Sequence, residues 1–530
     1  ERPGEPNPGL GILELDIQRP IWKWRFGLLR PRGRQGLRVG SLQDKRQAGT
    51  PLCPTAVDRP SVVRESAREL ACRHGELESN RAILALFDRR QGEADVTGSW
   101  VGTLDAAGQE LRLVFHIERD DAGQLSGTMD SPDQGAYGLV LSAVEEAEDG
   151  SVRFEFSMAA AEFTGRFSDD RRTIDGSWAQ GGARLPLLLE RTDAEALAPA
   201  RPQEPEPPLP YLARDVEFEN LEAGIRLAGT FTIPPGDGPH PAVALLSGSG
   251  PQDRNSTVFG HRPFLVLADY LTRHGIAVLR FDDRGIGSST GNFALATTPD
   301  FASDALAAVA FLQTRSEVDP EKIGLVGHSE GAIVAPMAAN QGDDVAFAVL
   351  LASTGVNGRE LLVMQAKAMN RAAGLPDAVV EQRAEVQESV LDVAVVAEND
   401  SVAAEQARTI LADAGLTGDA AEGQIRWLLS PWMKYFLVYD PLPALRDLSI
   451  PVLALNGEKD TQVPPTENLL PVEEALREGG NPDVTAEVLP GLNHLFQTAE
   501  TGVPAEYAGI EETFSPAALE KIATWILERT

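Results

Sequence analysis

Ile323-Gly324-Leu325-Val326-Gly327-His328-Ser329-Glu330-Gly331-Ala332-Ile333-Val334-Ala335 is the stretch on which the reading of this 530-residue chain turns. An apolar run suited to a buried strand leads into a Gly-x-Ser-x-Gly pattern, and a run suited to a buried helix leaves it. A strand that turns sharply into a helix presses backbone against backbone. Positions 327 and 331 then have no room for side chains, and the hydroxyl of Ser329 is lifted above the end of a sheet. The same pattern occurs at Gly287-Ser288-Ser289-Thr290-Gly291, but Gly291-Asn292 follows it without an immediate helix, so Ser289 is expected in a loop.

A serine hydroxyl needs a base to become a nucleophile, and imidazole titrates near working pH. Histidines stand at 74, 116, 240, 261, 274, 328 and 494, and His494 alone follows the last expected strand, in Leu492-Asn493-His494-Leu495-Phe496. His328 adjoins Ser329 within the elbow, where it cannot reach its neighbour's hydroxyl. The imidazole needs a carboxylate to fix its tautomer. Asn456-Gly457-Glu458-Lys459-Asp460 follows the strand Val452–Leu455, which makes Asp460 the candidate and Glu458 its rival. The order Ser329, Asp460, His494 is that of strand–turn–helix serine hydrolases. A tetrahedral oxyanion needs backbone donors. The N–H of Glu330 is one; Ser247-Gly248-Ser249-Gly250-Pro251, after an early strand, offers Ser249 first and Gly250 next. No Gly-Lys-Ser/Thr follows, so this glycine-rich turn is not a phosphate loop.

Around this centre the chain divides. Residues 213–530 alternate strands with helices, which implies a mostly parallel sheet covered on both faces. The strands expected there are Val216–Glu219, Arg226–Ile233, Ala242–Ser247, Ala277–Phe281, Ile323–Val326, Phe347–Ala352, Val452–Asn456 and Thr485–Leu489. The first two follow each other without a helix and should be antiparallel. Residues 357–440 read as helical throughout, an insertion placed where a cap would sit. Residues 94–192 carry short alternating segments between turn clusters: Gly98–Leu104, Leu111–Ile117, Gly138–Ala143, Val152–Phe156, Phe163–Phe167, Thr173–Trp178 and Arg184–Glu190. They predict a small antiparallel barrel or sandwich. Gly-Ser-Trp at 98–100 and again at 176–178 resembles the Gly-x-Trp signature of lipocalin-like barrels, with the Trp as a core plug. Between the two domains, residues 193–212 are a proline-rich linker, stiffest in APARPQEPEPPLP at 198–210. Residues 1–92 show no sustained period and read as a poorly structured extension.

Composition narrows the function classes. The net charge is −32, although the first 90 residues hold 17 Lys+Arg against 11 Asp+Glu. The rest is therefore strongly acidic, with only five lysines beyond residue 90, and would repel nucleic-acid phosphates. Solubility explains such a surface, and so would adaptation to salt. The only cysteines, Cys53 and Cys72, could pair with each other but are too few for a zinc–thiolate site. No apolar run reaches the ~20 residues of a membrane span. The opening residues lack the pattern of a signal peptide, which leaves the compartment open, as it does the oligomeric state.

The region from about residue 214 onward resembles bacterial α/β-hydrolase esterases of the EstD type. The stretches that carry the resemblance are Ser247–Arg254, Arg280–Gly285, Gly327–Gly331, Pro431–Phe436, Gly457–Asp460 and Asn493–Gln497. The resemblance implies a carboxylesterase acting on short- to medium-chain acyl esters, small or polymeric, without a metal or organic cofactor. A peptidase or thioesterase could use the same residues; a binding protein built on the fold would be expected to lose one of them. Within the insertion, Trp432, Tyr435, Phe436 and Tyr439 share a helical face. Trp432, Phe436 and Tyr439 are the candidates for an apolar roof over the acyl group.

Overall fold

The computed structural model describes residues 95–530 except 107–108, 121–122, 133–135, 148, 157–160, 181–182 and 193–199. The extension 1–92 with Cys53 and Cys72, and the start of the proline-rich segment, lie outside the described residues.

Nine strands among the described residues build one antiparallel sheet: β1 Gly98–Ala106, β2 Gln109–Arg119, β3 Leu125–Ser131, β4 Ala136–Val140, β5 Ala143–Glu146, β6 Ser151–Phe156, β7 Ala161–Phe167, β8 Thr173–Gln180 and β9 Ala183–Thr192. Their order is β4-β3-β2-β1-β9-β8-β7-β6-β5, and β3 touches β5, so the sheet curls into a half-barrel. The sequence pattern missed β3, whose Leu-Ser-Gly-Thr-Met-Asp-Ser buries only Met129 and Ser131, and merged β4 with β5. The two Gly-Ser-Trp tryptophans are buried, Trp100 fully. The Trp100 indole donates to the Val96 carbonyl at 2.8 Å, and the Arg191 guanidinium lies 4.3 Å above its ring. Phe115, Phe154, Phe163 and Trp178 pack ring against ring to fill the concave side.

The second sheet contains β10 Leu212–Asn220, β11 Ile225–Ile233, β12 His240–Leu246, β13 Ala277–Phe281, β14 Val318–His328, β15 Phe347–Leu351, β16 Val452–Gly457 and β17 Val484–Leu489. The order is β10-β11-β13-β12-β14-β15-β16-β17. β10, β11 and β13 pair antiparallel and every other neighbour pairs parallel. β13, β15 and β16 are buried at every position, as strands covered on both faces must be, whereas β10 alternates at the edge. The helices are α1 Pro263–Arg273, α2 Thr298–Gln313, α3 Gly331–Ala339, α4 Gly358–Ala372, α5 Asp377–Val396, α6 Asp400–Asp413, α7 Gly418–Leu428, α8 Pro431–Val438, α9 Leu442–Arg446, α10 Pro465–Glu478, α11 Pro504–Tyr507 and α12 Pro516–Leu527. Leu267 and Leu271 of α1 join Ile522 and Ile526 of α12 on one face, in a core continuous with Val390, Leu411 and Phe436 of the inserted helices. Ala305 and Leu312 of α2, Ala335 of α3 and Leu476 of α10 cover the other. Each fully buried Leu or Ile contributes roughly 1.5–3 kcal/mol. The chain leaves β12 for β13 and then returns to the far side of β12 as β14. This reversal opens a crevice at the carboxyl ends of β12 and β14, where such sheets bind ligands.

Residues 200–211 run against the second domain. The Arg201 guanidinium donates to the carbonyls of Ala508 at 2.8 Å, Ile510 at 2.7 Å and Gly260 at 3.1 Å. The Gln203 side chain receives the N–H groups of Thr513 and Phe514 and donates to the Phe514 carbonyl.

Candidate functional site

β14 ends at His328, and α3 starts at Gly331. Ser329 stands between them with φ of 55°, a left-handed conformation that a non-glycine residue adopts only under constraint. The constraint is visible in its neighbours. A β-carbon at Gly327 would lie 2.0 Å from the Gly331 carbonyl oxygen, and one at Gly331 would lie 2.1 Å from that of Leu246. The Ser329 N–H donates to the Leu351 carbonyl at 2.8 Å, which ties the turn to β15.

The loop after β12 backs onto this turn, since a β-carbon at Gly248 would sit 3.3 Å from the β-carbon of Ser329. Two aspartates after β13 hold that loop, a role the sequence reading left unassigned to Arg280–Gly285. Asp283 accepts from the Ser247 hydroxyl at 2.7 Å and from the Gln252 N–H at 2.8 Å, near its two ends. Asp282 accepts from the backbone N–H of Arg254 and pairs with its guanidinium at 2.8 Å. Burial, reinforced by the nearby Glu330 and Asp304 carboxyls, pushes Asp283 up to about 8.

Asp460 lies three residues past β16 with its carboxylate wholly buried. Its Oδ1 accepts the N–H groups of Gln462 and Val463, each at 2.8 Å. Its Oδ2 lies 2.8 Å from His494 Nδ1. Glu458, the rival candidate, is exposed and turns away to accept the Gly491 N–H. The His494 loop is fixed from within: Asn493 Oδ1 receives the N–H groups of Leu495 and Gln497, both at 3.0 Å. Phe496 stacks on Phe514 at 5.6 Å. Behind them His261 contacts Thr513 Oγ1 through Nδ1 and donates from Nε2 to the Tyr507 carbonyl, both at 2.9 Å. Burial lowers His261 to about 4, so the ring is neutral.

His328 was set aside in the sequence as unable to reach Ser329, and it has another task. Its Nε2–H donates to the His494 carbonyl at 2.8 Å, and the two rings lie 4.7 Å apart. Burial and then the proximity of His494 lower it to about 3, which keeps it a neutral donor. It ties the His494 loop, and with it the contact to Asp460, to the strand end that leads into Ser329.

Among the inserted helices, Ser430 caps α8 by accepting the Met433 N–H, and Pro431 opens the helix, which puts Trp432 in its first turn. The Trp432 indole donates to Glu330 Oε1 at 2.7 Å. The expected single aromatic face is two stacked pairs, Trp432 with Phe436 at 5.0 Å and Tyr435 with Tyr439 at 5.4 Å. Tyr439 falls just past the helix end, where the helical register no longer applies.

Among the described residues no cluster of three His, Cys, Asp or Glu side chains is placed to hold a metal ion, and no helix is long and apolar enough to cross a membrane.

The family model Hydrolase_4, described as serine aminopeptidase S33, matches residues 262–500. Esterase EstD of Thermotoga maritima is 28% identical over 327 residues, which covers 60% of this chain and 70% of EstD. The uncharacterized protein YfhR of Escherichia coli O157:H7 is 34% identical over 149 residues, 28% of this chain and 49% of YfhR. Among solved structures, the esterase Pf2001 of Pyrococcus furiosus aligns over 60% of this chain and 90% of its own, at 17% identity and a TM-score of 0.38. The strand order and the strand–turn–helix at Ser329 are those of the α/β-hydrolase fold, and the chain is similar over its second domain to bacterial EstD-type esterases, behind a curled antiparallel β domain.

Proposed function

We propose that the chain is a carboxylesterase that cleaves short- to medium-chain acyl esters through an acyl-enzyme formed on Ser329. The observation that carries this reading is the buried Asp460–His494 contact at 2.8 Å, drawn against the elbow by the His328 bond to the His494 carbonyl. Ser329 Oγ attacks the ester carbonyl while its proton passes to His494 Nε2, and Asp460 stabilises the imidazolium through Nδ1–H. The N–H groups of Glu330 and of Ser249, with Gly250 as the alternative, receive the negative charge of the tetrahedral oxygen. Collapse breaks the bond to the alkoxy oxygen, which takes the proton from His494 and leaves as the alcohol. Water, deprotonated by His494, then attacks the acyl-enzyme and returns Ser329 with release of the acid.

An aminopeptidase on the same scaffold must hold a substrate ammonium, commonly with a carboxylate near the nucleophile. The carboxylate next to Ser329 in the chain, Glu330, is engaged by donors from Trp432 and Thr298, and this supports an ester over an N-terminal peptide. The test is a panel of p-nitrophenyl esters with acyl chains of graded length, set against aminoacyl anilides, with and without a serine-directed fluorophosphonate. Ester turnover abolished by the fluorophosphonate is the expected result. Faster turnover of the anilides would overturn the proposal in favour of a peptidase.

A further inference from the structure

Glu330 has a second identity besides its backbone N–H. Its side chain is buried, and two donors from separate parts of the fold meet on it. Trp432 Nε1–H reaches Oε1 at 2.7 Å from α8, and Thr298 Oγ1 reaches the same oxygen at 2.8 Å from the start of α2. The Ser249 hydroxyl, from the loop after β12, stands near the same carboxyl and helps to hold it down. Trp432 continues the contact outward, because its ring stacks on Phe436 and Phe436 packs on Gly358 at the head of α4. One carboxyl group thus joins the loop that offers oxyanion donors, the turn that carries Ser329 and both ends of the inserted helices.

We infer that the Glu330 side chain is a positioning residue which fixes the oxyanion donors and the roof over the acyl group as one unit. The inference rests on the esterase reading given above. The indole N–H can only donate and therefore needs an acceptor facing it. Burial raises the Glu330 carboxyl above its ordinary range while Trp432, Thr298 and Ser249 hold it down. A carboxylate that meets these donors suits this place. An apolar replacement leaves the indole N–H and the Thr298 hydroxyl without their partner. Because the backbone N–H of the same residue faces the reacting oxygen, a shift of the side chain is also a shift of that donor.

The coupling has a readout that a general loss of stability does not share. Phenylalanine at 432 retains an aromatic ring for the stack on Phe436 and removes only the N–H. Trp432→Phe, Glu330→Ala, Glu330→Gln and the double variants are assayed on p-nitrophenyl acetate and octanoate, with melting temperatures recorded. Glu330→Ala is expected to lower kcat on acetate by about 10²-fold at nearly unchanged KM, as misplaced catalytic groups do. Glu330→Gln keeps one acceptor oxygen and should recover part of that loss. Trp432→Phe should lower kcat on acetate by about tenfold although a two-carbon acyl group needs no roof, and the double variant should be no worse than Glu330→Ala alone. If Glu330→Ala does not fold, Glu330→Gln and its double with Trp432→Phe carry the same comparison. Trp432→Phe with wild-type kcat on acetate, or losses that multiply in the double variant, would overturn the link while leaving the esterase reading intact. A wild-type protein inactive on every ester overturns that reading itself and the link with it.

Discussion

Residues 287–291 and 327–331 share the Gly-x-Ser-x-Gly pattern and put their serine hydroxyls to different uses. Ser289 is buried, donates to the Asp282 carbonyl at 2.7 Å and accepts the Ala228 N–H at 2.9 Å. Its hydroxyl is a strut between the loop and β11. Ser329 stands at the end of a central parallel strand in a left-handed conformation, with the loop after β12 behind it and the His494 loop against its neighbour His328. The five-residue pattern is therefore only permission for a tight turn. Whether that turn presents a nucleophile depends on the strand before it, the helix after it and what converges from elsewhere in the chain.

The sharpest way to break this contrast is to exchange the roles by mutation. Ser329→Ala is expected to lower kcat by on the order of 10³-fold or more without unfolding the protein, with comparable losses for Asp460→Asn and His494→Ala. Ester turnover above a tenth of the wild-type rate in Ser329→Ala, with turnover abolished in Ser289→Ala, would reverse the assignment.

The acyl profile sharpens the contrast further, because the inserted helices contact the turn at 327–331 through Trp432. An apolar roof gains roughly 0.8 kcal/mol for each methylene it buries, until the pocket is full. kcat/KM should peak at short to medium acyl chains, and Trp432→Ala or Phe436→Ala should move the peak. A flat profile from two to sixteen carbons that neither substitution alters would detach the insertion from the acyl site.

The buttress behind His494 has no counterpart near Ser289, and it is acid-sensitive. His261 is neutral in the fold, with its value lowered to about 4, while the unfolded chain binds a proton near 6.5. A histidine depressed in this way contributes its full stabilisation above about pH 6.5 and loses it as the pH falls toward 4. The stability gap between wild type and His261→Gln should therefore narrow in that window, by up to about 1.4 kcal/mol per pH unit. Denaturant titrations at pH 7, 6 and 5 measure it, and a constant gap would show that His261 is not held neutral. At the small end, Ser289→Ala should leave kcat within about twofold of wild type. It should still cost roughly 1–3 kcal/mol of stability, because the Ala228 N–H is left without its acceptor. A melting temperature equal to wild type would remove Ser289 from the framework.

The catalytic-domain fold was legible because its signals are local or sequential. The buried runs at 347–351 and 452–457 read as strands from their own residues, and the elbow reads from the glycines it crowds. The pairing of Asp460 with His494, and not of Glu458, follows from one residue facing inward after β16 and the other facing outward, which strand-end position alone left open. The task of His328 was not legible: its partner is a backbone carbonyl 166 residues away, and carbonyls leave no mark in a sequence. The Glu330–Trp432 bond spans 102 residues and is equally silent in any local pattern. In the β domain, β3 escaped notice because a strand with so few buried apolar residues lacks a clear period of two.

The contacts of Arg201 and Gln203 bear on how such a protein could be reshuffled in evolution. Prolines mark residues 198–210 as the place to cut and paste, yet the side chains there grip the segment 508–514, whose Phe514 lies stacked against Phe496 in the His494 loop. An exchange that replaced everything before residue 213 would take away partners of the Ala508, Ile510 and Phe514 carbonyls and of the Thr513 and Phe514 amides. A crossover before residue 200 would keep them. The tether is inherited with the hydrolase, and a foreign N-terminal domain can be accepted only upstream of that grip.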